Sequence, residues 1–593
     1  MCGIMGYNGS KNAIPIVIKG LKSLEYRGYD SAGIAYFFNE KIKIIKEKGR
    51  ISELEKLLNN DNSNLCIGHT RWATHGKPSK INAHPHMVGR VTLVHNGIIE
   101  NYKELKDNLE KEGYSFKSET DTEIACSLID SIYKKNNDIL ETLEQIQTIL
   151  KGSYAFLIIF QQDKNIYALR KGSPLVLTKN ELGTFVASDI PAILEYSKKF
   201  YFLEEGEVAK LSKESITFYS KKNIINKKYN TFNYDLTTAK KNGYSHFMLK
   251  EIYEQPKVVK EFLDYYFENF KLIPDISKYK KIQIVACGSA YHSGLVGSYF
   301  IEKYGHIEVQ SYVASEYRYK EKFIDKDTLV ILVSQSGETA DTIASLRLAK
   351  EYQATTLGIV NVIGSTIARE CDEVIYINAG CEIAVATTKA YTLQVLTFSL
   401  IAYKLGVIKG NIDNNLKDKI KTDYLKLPQY IDDLLKLDYN NLTNKIYSKK
   451  NVFFIGRQLD YYSCLEGSLK LKEISYIHSE SYPAGELKHG TISLIEEKTP
   501  VVSIVTDEKI CEKSISNIKE VKSRGAYVLL VKKSNILVDD SAYDDKIEIP
   551  NTFDLVSSIL TIIPLQMLAF NVSFKLGLDI DKPRNLAKSV TVE

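Results

Sequence analysis

Cys2, directly after the initiator methionine, carries a thiol and, once that methionine is removed, a free α-amine on the same residue. An α-amine with a pKa near about 8 can serve as general base for its own thiol, so acyl transfer is the chemistry this residue suits. Such a reaction needs donors for a tetrahedral oxyanion, and Asn96 beside Gly97 offers a side-chain amide and a backbone N–H. Far downstream, Glu466, Lys470 and Glu473 recur at i, i+4 and i+7, on one face of a helix. Leu465, Leu469, Leu471 and Ile474 cover most of the remaining circumference, so the helix is expected to be buried with its charges meeting inside a site. A third cluster, Ser334-Gln335-Ser336-Gly337-Glu338-Thr339, follows an apolar strand and precedes a helical pattern that begins near Asp341. Hydroxyls and backbone N–H groups in that position form a phosphate cradle without a lysine. Taken singly, each cluster also has a plain reading: a small buried cysteine, a solvated salt-bridged face, a Ser/Thr helix cap.

The elements that would position these groups fall into two kinds. To about residue 220 the chain shows short strand-like runs, among them Gly33–Phe37, Lys41–Lys46, Arg90–Val94, Tyr154–Phe160 and Thr184–Ala187. Helical stretches at Tyr102–Glu112 and Glu123–Tyr133 interrupt them, which predicts an α+β domain. Residues 221–245 are polar and without period, and read as a linker. From about 280 onward, apolar strands alternate with helices, as a parallel sheet requires. That pattern occurs twice. Gly288 and Gly456, closing two strands, lie 168 positions apart; Thr328–Val333 matches Pro500–Val505 at 172, and Thr355–Val360 matches Ala526–Val531 at 171, so an internal duplication is expected.

Composition narrows the class further. With 593 residues, 44% hydrophobic and 25% charged, the chain is a globular protein of several domains. The net charge of +5 comes from 78 basic and 73 acidic residues spread along the chain, without the basic stripe that nucleic acid requires. No apolar run approaches the roughly 20 residues of a membrane span, since the stretch around 560–570 contains Pro564 and Gln566. The eight cysteines have no paired short spacing, which suits reduced thiols, and the N-terminus lacks the pattern of a secretory signal, so the cytoplasm is expected.

Cys2-Gly3-Ile4, followed by Arg27-Gly28-Tyr29-Asp30-Ser31-Ala32-Gly33, resembles the N-terminal-nucleophile glutamine amidotransferases. Gly68-His69-Thr70-Arg71-Trp72-Ala73-Thr74-His75-Gly76, Asn82-Ala83-His84-Pro85-His86, His95-Asn96-Gly97 and Glu119-Thr120-Asp121-Thr122-Glu123 continue the family pattern in order. The resemblance implies that Arg71 holds the α-carboxylate of glutamine, that Asp121 holds its α-ammonium, that His84 belongs to the active site, and that Trp72 gates the passage of ammonia. Five of the ten histidines fall between His69 and His95, yet the usual zinc spacings are absent, and His69, His75, His86 and His95 are read as satisfying local hydrogen bonds.

In the second half, Ser334–Thr339 resembles the phosphate loop of the sugar isomerase (SIS) domains. Leu465–Ile474, Tyr482-Pro483-Ala484-Gly485-Glu486-Leu487-Lys488-His489-Gly490 and the terminal run from Asp581 to Glu593 resemble the isomerase half of the glucosamine-6-phosphate synthases. That resemblance implies a division of labour: His489, turned back toward Glu473, assists ring opening; Lys588 holds the open-chain ketone as a Schiff base; Glu473 moves a proton between carbons 1 and 2, with Lys470 nearby. It places Ser289, Ser334, Gln335, Ser336, Thr339, Val385, Thr387 and Ala587 around the sugar phosphate. Two departures stand out. Ala290 lacks the hydroxyl that the family has there, and Thr387 replaces the common serine. The counterpart turn of the second copy, Thr506-Asp507-Glu508, is acidic, so only the first copy is expected to bind phosphate.

The expected architecture is therefore an α+β N-terminal-nucleophile (Ntn) glutaminase domain over 2–220, the linker over 221–245, two α/β SIS domains with parallel sheets over 246–415 and 440–583, and a tail over 584–593 that closes the sugar site. Glutamine and fructose 6-phosphate are the expected substrates, and a homodimer the expected assembly, with ammonia passing between the domains and no cofactor, metal, nucleic acid or membrane. A glutaminase joined to a sugar-phosphate sensor that converts nothing is the other reading, and intact Glu473, His489 and Lys588 speak against it.

Overall fold

A computed structural model describes residues 2–73, 75–231, 241–321 and 323–590; Met1, Thr74, segment 232–240, Lys322 and the last three residues of the expected tail lie outside the described residues. The chain divides into two compact units, residues 1–239 with those from Ser589 onward, and residues 240–588.

In the first unit, the strand that follows Cys2, Gly3–Gly9, is buried along its whole length because it lies between two others. It pairs antiparallel with Leu65–Arg71 on one edge and with Gly183–Ala187 on the other. Around it grows an eight-stranded sheet, and a seven-stranded sheet faces it. Ile4, Ile67 and Val186 from the first meet Val94, Leu157 and Ala168 from the second in one core. The outer face of the second sheet is covered by Tyr102–Lys111, Asp121–Asn136 and Ile139–Ile149, whose apolar stripes share a core with it. Every strand run expected to residue 220 is present, with bounds that differ by one to five residues, and both helices are present, as Tyr102–Lys111 and Asp121–Asn136.

Part of the segment read as a linker is sheet. Asn223–Ile225 pairs with Ile216–Ser220, and Asn230–Thr231 with Lys199–Phe202. These edge strands are only three and two residues long, too short to show an alternation in the sequence.

The second unit holds two five-stranded parallel sheets. Their orders are 308–313, 281–286, 328–334, 355–360, 373–376 and 478–483, 451–456, 500–505, 527–533, 545–549. The two permutations are identical, as a duplication requires. Both sheets contribute to one continuous core with the long helices Lys389–Ile408 and Asp554–Lys575. Contrary to the expectation from sequence, these two helices are long and apolar enough to match a membrane span. Yet 83% and 94% of their most apolar windows are buried inside the protein. Pro564 is tolerated within the second. The stretch between the two expected SIS domains is a 22-residue helix, Asn414–Leu435.

Candidate active sites

Cys2 stands at the mouth of the buried first strand, where the loop after Leu65–Arg71 passes it. The backbone N–H of Trp72 donates to its Sγ at 3.2 Å. Asp30 fixes that loop, since its carboxylate accepts from Ala73 N at 2.8 Å and its own N–H donates to the carbonyl of Arg71. Thr70 Oγ1 and Ser188 Oγ accept from the N–H groups of Gly3 and Ile4, holding the residues behind the thiol. Burial pushes the Cys2 thiol up, opposed by the Trp72 amide and the charge of Arg71.

Asn96 lies in the strand Val91–Ile99, and its amide donates to the carbonyl of Cys2 at 2.9 Å while its Oδ1 is buried without a partner. Gly97 has φ +129°, and a Cβ there would collide with the carbonyl of Ser153 on the neighbouring strand, so only glycine fits beside Asn96. Arg71 is anchored by Nη2 on the carbonyls of His75 and Gly76 and leaves Nη1 buried and unpartnered. Asp121, first residue of its helix, accepts from Ile99 N at 2.8 Å. These groups offer a thiol, oxyanion donors, a cation and an anion within one fold unit. Trp72 stands half-buried with its ring edge-on to Tyr29 at 5.8 Å.

The histidines form a stack rather than a ligand set. His84 lies against His69 at 4.2 Å and His86 at 5.1 Å between ring centres. His69 Nε2 bonds the carbonyl of His95, His95 Nδ1 bonds Thr122 Oγ1, and His86 Nε2 bonds Thr120 Oγ1. Desolvation lowers the pKa of all four, that of His69 to about 3, so they are neutral imidazoles.

In the second unit, Ser334 closes the strand Thr328–Ser334 and its hydroxyl accepts from Gly337 N and meets Thr339 Oγ1, both at 3.0 Å. Gly337 takes φ +65°, and a Cβ would strike Ser365. Glu338 ties the loop down by accepting from Thr366 N and Oγ1 at 2.8 Å. Thr339 is the N-cap of Ala340–Glu351, so the half-buried Gln335 and Ser336 sit before a helix N-terminus, as an anion site requires.

The helix Leu459–Ser475 buries Glu466 and Lys470 completely. Lys470 Nζ lies 2.6 Å from Glu473 and 3.4 Å from Glu466. Burial favours a neutral lysine, but the two carboxylates outweigh it and raise its pKa. Ser289 donates to Glu466 at 2.8 Å and accepts from Lys470 at 3.0 Å, so its hydroxyl is engaged with this ion cluster. His292 Nδ1 bonds the other Glu466 oxygen at 2.8 Å. Sequence reasoning missed His292; its position three residues after Ser289 on one helix was the available signal.

Lys588 is folded back. Its ammonium lies 2.5 Å from Glu382 and 3.1 Å from Thr387 Oγ1, which itself donates to Glu382. The hydroxyl kept by threonine at 387 is therefore in use. Burial alone would raise the carboxyl of Glu382, but Lys588, Thr387 and the amides of Thr388 and Ala390 hold it down, at about 2. Its charge also acts on Lys470, so the two ion clusters share one neighbourhood. Glu251, also missed, accepts from Ile383 and Ala384 N; burial and the nearby Glu382 push it up to about 8. Val385 N donates to the carbonyl of Asp581, and Asp581 caps the helix Phe247–Tyr253, which brings the start of the tail to this site. Ala587 is half-buried beside Lys588. His489 is exposed on a short 3-10 turn, with no hydrogen bond to Glu473 among the described residues.

A profile of the SIS domain matches residues 275–404 and again 445–576, and a glutamine amidotransferase profile matches 69–195. Over 100% of both chains this sequence is 47% identical to the glutamine–fructose-6-phosphate aminotransferase (isomerizing) of Caldanaerobacter subterraneus. The enzyme of that name from Thermus thermophilus is 41% identical, again over 100% of both. Among solved structures, the C-terminal domain of glucosamine-fructose-6-phosphate aminotransferase from Francisella tularensis superposes with a TM-score of 0.54 at 35% identity, covering 58% of this chain and 99% of that one. The fold class expected from sequence, a glutaminase domain followed by two SIS domains, is that of the matched profiles and sheets.

Proposed function

The chain belongs to the glutamine–fructose-6-phosphate aminotransferase (isomerizing) family, and from that premise we propose that it moves the amide nitrogen of glutamine to fructose 6-phosphate and isomerises the product to glucosamine 6-phosphate. The observation that carries the proposal is the burial of Lys588, five residues from the end of the chain, against Glu382 and Thr387. A lysine whose side chain is buried and held in one position is suited to imine chemistry.

With Met1 removed, the α-amine of Cys2 takes the thiol proton and the thiolate attacks the carboxamide of glutamine. Asn96 and the N–H of Gly97 receive the oxyanion; ammonia leaves with that proton, and water releases glutamate from the thioester. Arg71 and Asp121 hold the two ends of the amino acid, His84 packs beside them, and Trp72 gates the ammonia, which travels inside the protein. Ser334, Gln335, Ser336 and Thr339 hold the phosphate; Ser289, Val385, Thr387 and Ala587 border it. Lys588 gives up its ammonium proton and adds to the ketone with loss of water; ammonia then adds to the imine carbon and displaces the Lys588 amine, and Glu473, poised by Lys470, carries the proton from carbon 1 to carbon 2 of the resulting imine to leave a 2-amino aldose. His489 assists ring opening. The reading includes a homodimer in the cytoplasm and glutaminase, SIS and tail domains with the boundaries given above.

Incubating the purified chain with glutamine and fructose 6-phosphate, and identifying the product by mass, tests this. An amino sugar phosphate is expected in step with glutamate. Glutamate formed without amino sugar would favour the sensor reading, and glutamate formed by Cys2→Ala would remove Cys2 as the nucleophile.

A further inference from the structure

One ammonium serves two carboxylates on the helix Leu459–Ser475. Glu466 stands four residues before Lys470 and Glu473 three after it, on one face and within reach of its Nζ. The more buried carboxylate has the greater need of that cation, because an unpaired charge costs most where water is excluded. The Glu466 side chain has 0% of its surface exposed and that of Glu473 21%. Yet Lys470 Nζ lies nearer the more open of the two, at 2.6 Å from Glu473 against 3.4 Å from Glu466.

The helix Gly288–Gly305 supplies the reason. Its first turns bring two donors to Glu466, Ser289 Oγ to Oε1 and His292 Nδ1 to Oε2, each at 2.8 Å. An ionised carboxylate only accepts, so the ring carries a hydrogen on Nδ1. Ser293, next along, donates to the carbonyl of Ala290 and to Gln394 of the helix Lys389–Ile408, which pins this turn against its other neighbour. Burial would raise the carboxyl of Glu466, yet Lys470, His292 and Ser289 together hold it below its ordinary value. With a donor on each oxygen, Glu466 stays charged without the whole of Lys470, and the ammonium is left to Glu473. Ser289 completes the arrangement by accepting from Lys470 at 3.0 Å.

We propose that His292 is a positioning residue for the proton transfer at the sugar: by satisfying Glu466 it frees Lys470 to hold Glu473 in the orientation from which the carboxylate serves carbons 1 and 2. The inference rests on the isomerase function proposed above and deepens it. Without the imidazole, one buried oxygen of Glu466 loses its donor, and the nearest replacement is Lys470, drawn away from Glu473. The proton-transfer step then slows, while phosphate binding and the glutaminase reaction do not depend on this contact.

Rates of amino sugar formation by the full chain, with fructose 6-phosphate and with the same substrate deuterated at carbon 1, test this. In His292→Leu, kcat should fall by about ten- to hundredfold, while KM for fructose 6-phosphate and glutamate formation from glutamine alone stay within about twofold of the parent. The deuterium effect on kcat should grow, since breaking the bond at carbon 1 becomes a larger part of the slow step. His292→Asn places an amide N–H near the position of Nδ1, and should recover most of the rate and return the deuterium effect toward that of the parent. Should the leucine variant fail to fold, His292→Phe, which keeps a ring and removes the donor, carries the same expectations. An unchanged kcat, a fall in kcat without a larger deuterium effect, a rise in KM in its place, or an asparagine variant as slow as the leucine one would overturn the proposal. A parent that forms no amino sugar sinks the proposed function and this inference with it, whereas an active parent with indifferent variants sinks the inference alone.

Discussion

Around Cys2 four buried imidazoles are neutral, stacked on one another, with His69, His86 and His95 bonded to a hydroxyl or a carbonyl; around Lys588 the buried lysines are charged and paired, Lys470 between Glu466 and Glu473 and Lys588 on Glu382. Both arrangements answer the same cost of desolvation. A histidine meets it by shedding its proton, whereas a lysine or carboxylate keeps its charge only by holding a partner. The difference suits the two reactions: an acyl transfer that relies on one terminal residue needs a rigid polar wall, while proton transfer at the sugar needs a carboxylate kept ionised away from water and imine formation needs a lysine that can pass its proton to a neighbour before it attacks.

The strongest way to break the paired side is Lys588→Arg. A guanidinium preserves the charge but forms no imine, so amino sugar formation should fall about a thousandfold or more, equivalent to about 4 kcal/mol, while glutamate is still produced. Separate assays of glucosamine 6-phosphate and glutamate check this; synthesis near the parental rate would take Lys588 out of the chemistry. Next in size, Lys470→Met leaves Glu466 and Glu473 without their shared cation and should destabilise the second unit by about 3–5 kcal/mol, read by chemical denaturation. If the loss is below about 1 kcal/mol, the pairing is not what keeps these carboxylates buried.

Smaller effects belong to the phosphate loop. Ser334→Ala and Thr339→Val should each weaken binding of fructose 6-phosphate by about 1.5–3 kcal/mol, roughly tenfold or more, with little change in the rate at saturation. Equal affinity in both variants would place the phosphate elsewhere.

The mildest test separates the two units by pH. His69 titrates near 3 in the folded protein and near its ordinary value of 6.5 when unfolded, so the unfolded state binds the extra proton between them. Its contribution is therefore intact above about pH 6.5 and declines on acidification, by about 1.4 kcal/mol per pH unit for each histidine so buried. Glu382, held at about 2, keeps its full contribution above the ordinary carboxylate value of 4.5 and loses it as the pH falls from there toward 2, outside the window in which the histidines act. Glu251, pushed up to about 8, works in the other direction and favours the second unit as the pH falls from 8. Calorimetry between pH 7.5 and 5.5 should move the transition of the first unit down while that of the second holds or rises. Parallel shifts of both would contradict the contrast.

Much of this was legible in the residues alone. The duplicated strands, the turn Ser334–Thr339 and the face of Glu466, Lys470 and Glu473 are local patterns, fixed by period and by the chemistry of turns. The edge strands at 223–225 and 230–231 were not legible, because runs of three and two residues are too short to carry an alternation. The apolar helix 554–575 was undervalued because Pro564 and Gln566 interrupt its composition but not its burial.

The sequence by itself determined which chemistries were present and which local faces carried them, since a nucleophile at residue 2 or a charged stripe on a helix needs only short-range geometry. Only the tertiary structure decided who meets whom. Lys588 finds Glu382 across 206 positions, His292 finds Glu466 across 174, and Glu251 reaches the loop of Glu382 across more than a hundred. No period links such residues. They meet because parallel strands bring distant loops to one edge of a sheet, and there burial requires each charge to find a partner.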